Sequence, residues 1–277
     1  MAQDLYCNRD FIPDFDEIVA ETAARSRELS SQVDLRPDVP YGPGPRERMD
    51  IILPPHPAKG APLHVFIHGG YWRSGSKEAH RLIAAPVLAA GGIAAVVTYD
   101  LMPGTRLGTI VGQVRSAIRH LAAIAPDLGA DATRLTVSGH SAGAHLTSYL
   151  ASIGPEENTP QDLPALRALL LVSGIYDLTD IPGSFLKDEA KMTPAEASAW
   201  SPLSSQHLPG PKRTVMVSEL DTPPFHTQGQ QLVSLLNDSG LEGKLRTEAG
   251  LNHMTIVLAL ADPKSATGQC LADLVSC

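Results

Sequence analysis

Short apolar runs and longer amphipathic segments take turns along this chain, and their alternation predicts most of its elements. Residues 63–67, 93–99, 134–138, 166–172 and 213–217 are apolar runs too short for helices, and they predict strands buried on both faces. Residues 244–247 predict a last strand. Between them Leu107, Ile110, Val111, Val114, Ile118, Leu121 and Ile124 keep helical spacing until Pro126 stops the helix. Further helices are predicted over 77–90, closed by Gly91-Gly92, over 144–153, closed by Gly154-Pro155, and around 230–236, closed by Gly240. A final helix opens at His253 and is interrupted by Pro263. Upstream, the first forty residues predict a helix capped by Asp14, with Ile18, Val19 and Ala23 on one face, and then a polar stretch. Residues 39–45 carry turn chemistry, and residues 48–53 alternate as a strand. The whole predicts a mostly parallel α/β sheet with helices on both faces, binding ligands at the carboxyl ends of its strands.

A length of 277 residues suits one large α/β domain. Residues 1–38 are expected to form a helical extension, and the irregular segment 180–209 a small cap. The net charge of −8, with no basic cluster to offset it, argues against nucleic acid as a partner. No apolar run approaches the roughly 20 residues of a membrane span, and the first residues lack the basic and apolar regions of a signal peptide. Cys7, Cys270 and Cys277 form neither a disulfide framework nor a C-x-x-C pair, so a cytoplasmic protein without membrane association is expected. The expected partner is a small-molecule substrate, and a homo-oligomer is compatible with the sequence. No metal and no organic cofactor is expected, because the histidines lack metalloprotease spacing and no phosphate loop or dinucleotide fingerprint occurs.

The candidate chemistry centres on Gly139-His140-Ser141-Ala142-Gly143, a G-x-S-x-G run between a predicted strand and a predicted helix. That setting pushes a serine out of a tight turn, and small flanking residues permit it. Serine needs a base, and for a serine on such an elbow the acid and then the base follow in chain order. His253, after the last predicted strand, is the expected base, with His207 and His226 as rivals. His140 and His145 lack the spacing of a metal pair, and His140 is expected to pack structurally. Asp221, just beyond the 213–217 strand, is the expected acid. Asp177 is its main competitor, with Asp180 and Glu219 also available. Two N–H groups should face the reacting carbonyl oxygen. One is expected from Ala142 and the other from Gly69 or Gly70 in the run His68-Gly69-Gly70-Tyr71-Trp72. Tyr71 and Trp72 adjoin that loop and are the expected substrate-binding residues. Trp72 has packing as its other role, and Phe185 and Trp200 are further aromatic candidates.

With these residues in place, the chain resembles the α/β-hydrolase superfamily over nearly its whole length, and most closely the kynurenine formamidase (arylformamidase) branch. The resemblance rests on Tyr41-Gly42-Pro43, the H-G-G-Y-W run at 68–72 and G-H-S-A-G-A-H-L at 139–146. Residues 99–103 and 174–178, Asp221 and His253 support it. It implies hydrolysis of an N-formyl arylamine such as N-formylkynurenine, with Ser141 as nucleophile, Asp221 as acid and His253 as base. General carboxylesterases share every one of these motifs, so a short acyl or aryl ester is the alternative substrate. A hydrolase-fold binding protein is the non-catalytic alternative.

Overall fold

The computed structural model describes residues 3–155, 157 and 162–276, so Met1, Ala2 and Cys277 fall outside the described residues. Among these residues β1 (Asp34–Pro40), β2 (Arg48–Leu53), β3 (Ala61–Ile67), β4 (Ile93–Val97), β5 (Ala130–His140), β6 (Leu166–Val172), β7 (Lys212–Ser218) and β8 (Gly243–Glu248) form one sheet. The strand order is β1-β2-β4-β3-β5-β6-β7-β8. From β4 to β8 every pairing is parallel, and only the β1–β2 and β2–β4 pairings are antiparallel. The sheet is therefore the mostly parallel α/β sheet that the sequence pattern predicts.

The helices are α1 (Phe15–Ser30), α2 (Ala84–Ala89), α3 (Leu107–Ile124), α4 (Ala142–Ser148), α5 (Lys187–Ala190), α6 (Pro194–Ala199), α7 (Pro223–Asp238), α8 (Thr255–Leu260) and α9 (Ala266–Ser276). Successive strand residues point to opposite faces, and the core divides accordingly. Val65 and Ile67 join the apolar faces of α3, α4 and α7, whereas Phe66 joins those of α2, α8 and α9. The runs that read as continuously apolar are continuous because both faces are covered.

Some expectations change. The polar stretch after α1 contains β1, and Val39 and Pro40, expected in a turn, are its last two residues. β1 is mostly exposed at the sheet edge, with a register shift between Arg36 and Val39. An edge strand tolerates prolines and charges because only one side pairs, and that hides it from an apolar pattern. Asp14 occupies the cap position of α1 without a side-chain bond to the helix. The helix expected over 77–90 divides into a 3₁₀ stretch at Glu78–Ile83 and α2. Pro86 has no N–H to donate back to Leu82, so an unbroken α-helix across that join would lack a bond. Downstream, α7 starts at Pro223, well before the predicted 230, because Pro223 and Pro224 occupy its first turn, where a missing N–H costs nothing.

The segment between β6 and β7 holds α5 and α6. Glu196 ties it to the body by pairing with Arg106 and accepting the N–H of Leu107 (3.0 Å) at the start of α3. Thr193 caps α6 by accepting the N–H of Glu196. No helix among the described residues is long and apolar enough to cross a membrane.

Candidate active site

β5 ends in a sharp turn. Ser141 has φ 55° and ψ −121°, and its N–H donates to the carbonyl of Val172 at the end of β6 (2.8 Å). The two glycines of the elbow are there for space. A Cβ on Gly139 would stand 2.2 Å from the carbonyl oxygen of Gly143, and one on Gly143 would stand 2.0 Å from that of Ile67. α4 starts directly at Ala142, two residues earlier than the sequence pattern indicates, and gives way to a 3₁₀ turn over Tyr149–Ala151.

The 68–72 loop lies against this turn. A Cβ on Gly69 would approach the carbonyl oxygen of His140 to 2.9 Å and Cβ of Ser141 to 3.1 Å. Gly70, Tyr71 and Trp72 all have positive φ, a conformation that non-glycine residues rarely adopt. Gly70 O accepts from the N–H groups of Arg73 and Ser74 (both 3.0 Å), and Trp72 O from Met102 N–H (2.8 Å), which hold the loop. Among the described residues the N–H groups of Gly69, Gly70, Tyr71 and Ala142 donate to no protein acceptor.

The structure brings Asp221 and His253 together. His253 Nδ1–H donates to Asp221 Oδ1 (2.7 Å), with both side chains buried. Asp221 Oδ2 accepts from Ser173 Oγ (2.6 Å) and Ser218 N–H (2.9 Å). Burial pushes this carboxyl up, but the His253 imidazole and these hydrogen bonds outweigh it and hold the group below its ordinary range. His140, next to the serine, donates Nε2–H to the carbonyl oxygen of His253 (2.8 Å), and their rings lie 4.8 Å apart. Burial keeps His140 neutral. Phe225 covers the His253 ring at 4.5 Å. An imidazole anchored through Nδ1 can accept a proton at Nε2 and return it.

A family model described as BD-FAE matches residues 49–203. A kynurenine formamidase of Danio rerio is 31% identical over 231 residues, covering 81% of this chain and 76% of that protein. The chain belongs to the kynurenine formamidase family of α/β-hydrolases. The esterase LipQ of Mycobacterium tuberculosis is 26% identical over 261 residues, covering 86% of this chain and 61% of that protein. A crystallised protein described as a candidate thioesterase, from Silicibacter sp. TM1040, superposes with a TM-score of 0.81 at 26% identity, covering 99% of this chain and 98% of that one.

The remaining candidates of this α/β-hydrolase are engaged elsewhere. Asp177 Oδ1 accepts from the N–H (3.0 Å) and hydroxyl (2.7 Å) of Thr179 in a local turn. Tyr6 donates its hydroxyl to Asp180, and Glu219 accepts Gly250 N–H. His207 bonds Ser152 and Pro202, and His226 lies half-buried on α7. Trp72 is fully buried, and its indole N–H donates to His145 Nδ1 (3.1 Å) while His145 Nε2–H donates to Trp200 O (2.8 Å). Packing, the second of its two expected roles, is thus the one the contacts describe. The Tyr71 hydroxyl donates to Tyr6 O and accepts from Asn8 Nδ2 (3.3 Å), and its ring meets Phe185 edge-on at 5.4 Å. Ser173, Ser218 and Asn8 escape sequence reasoning, because isolated serines and an asparagine carry no spacing signal.

Buried histidines should make this enzyme acid-sensitive. Burial pulls His64 and His68 down to about 3 and His145 down to about 4, from an ordinary 6.5. Between pH 6.5 and those values the unfolded chain binds protons that the folded one refuses, so stability falls as pH falls. Each of these histidines costs up to about 2 kcal/mol at pH 5 relative to neutral pH. The urea midpoint should therefore drop clearly between pH 7 and pH 5. An unchanged midpoint would show that these rings are protonated in the folded protein.

Proposed function

We propose that this hydrolase cleaves an N-formyl arylamine, such as N-formylkynurenine, through a formyl-serine intermediate. The observation that carries the catalytic reading is the 2.7 Å bond between His253 Nδ1 and Asp221 Oδ1. It commits Nδ1 as a donor and leaves Nε2 as the base. In this reading Ser141 Oγ attacks the formyl carbon as His253 takes its proton. The oxyanion is held by the N–H of Ala142 and by one from Gly69 or Gly70. The imidazolium, steadied by Asp221, protonates the leaving amine, and water then releases formate by the same steps in reverse. No step calls on a metal or cofactor.

The identity to kynurenine formamidases supports the formamide over the ester. The LipQ match supports short acyl or aryl esters as the second reading. One substrate panel separates them. Turnover of N-formylkynurenine should exceed that of p-nitrophenyl acetate in kcat/KM, both followed spectrophotometrically. Hydrolysis of the ester alone would sink the formamidase reading and leave the esterase one.

A further inference from the structure

Ser173, directly after β6, combines two features that a loop serine has no ordinary reason to combine. It is fully buried, and its backbone lies in the left-handed region at φ 45°. Glycine takes that conformation without steric cost, so a serine kept there needs a use for its side chain. Its hydroxyl donates to Asp221 Oδ2 (2.6 Å), and its N–H donates to Met216 O (2.7 Å). Ser218 supplies the other donor to Oδ2, and its hydroxyl donates to Asn252 O (3.1 Å), one residue before His253. The preceding carbonyl, Val172 O, accepts the N–H of Ser141. The end of β6 thus holds the serine elbow through the Val172 carbonyl and the carboxylate through the Ser173 hydroxyl.

We propose that Ser173 is a positioning residue, held in strained backbone so that its hydroxyl fixes the Asp221 carboxylate and leaves Oδ1 aimed at His253. This rests on the reading of Asp221 and His253 given under Proposed function. With both donors on Oδ2, the carboxylate is fixed in rotation and its charge is partly spent. Losing the Ser173 donor leaves Oδ2 with one fixed donor and makes the carboxylate more basic. The ionisable groups around Asp221 are His253, His140, Tyr71 and Tyr176. Burial keeps His140 neutral and both phenols protonated across the working range, so these three groups carry no charge beside the carboxylate.

The test compares Ser173→Gly with Ser173→Ala, which both lack the hydroxyl and differ in backbone strain. On N-formylkynurenine or p-nitrophenyl acetate, both should lose about 10- to 100-fold in kcat with little change in KM. Both should change the shape of the pH profile of kcat/KM, which a loss of packing alone would leave unaltered. Ser173→Gly should nevertheless melt at or above the parent temperature, and Ser173→Ala should not exceed it. In an Asp221→Asn background, Ser173→Gly should cost little more. Parent-like kcat and pH profile in Ser173→Gly overturn the proposal, as does a full additional loss in the double variant. Undiminished activity in Asp221→Asn alone would instead remove the reading on which it rests.

Discussion

Ser141→Ala should lower kcat on formamide and ester alike by about 10⁴-fold or more, with the fold intact. The fold survives because alanine fills the same φ 55° position with the same Cβ, and the elbow is built by backbone contacts the change leaves alone. The Ser141 N–H still reaches Val172 O, and Gly139 and Gly143 still nest against backbone. What is lost is the only atom the proposed chemistry can acylate. A fluorophosphonate probe gives an independent reading: it should label the parent protein at Ser141 and leave the alanine variant unlabelled. Near-parent hydrolysis by Ser141→Ala would end the serine mechanism, and absence of labelling in the parent would revive the binding-protein alternative.

The parts of the molecule legible in the sequence are those where one residue type has few other reasons to stand. Gly139 and Gly143 face backbone atoms that no side chain could clear, so the elbow is written in residue identity. The buried strands are legible because both of their faces are apolar. β1 is not, since pairing on one side only lets Asp34, Arg36 and Pro37 remain exposed. The partners of the carboxylate escape for a different reason. Ser173 meets Asp221 only after β6 and β7 are laid side by side, and Ser218, three residues before Asp221 at the end of β7, carries no signal because serine is a common residue. Trp72 shows the limit of proximity along the chain: it adjoins the Gly69-Gly70 run, yet its ring turns inward to His145.

Asp221→Asn should cost on the order of 10⁴ in kcat, whereas Asp177→Asn should change it by less than about tenfold. Both aspartates follow strands of the same sheet, and chain order alone leaves them in competition. Their hydrogen bonds separate them. Asp221 accepts from His253 through one oxygen and from two fixed donors through the other. Asp177 accepts from Thr179 two residues on and is partly exposed. An amide at 221 keeps the shape but can present N–H to Nδ1, which favours the imidazole tautomer whose Nε2 carries the proton and cannot take one from Ser141. The loss should therefore fall on kcat more than KM, and it should ease at high pH, where hydroxide can take the serine proton. A larger loss in Asp177→Asn than in Asp221→Asn would reverse the assignment of the acid while leaving Ser141 and His253 in place.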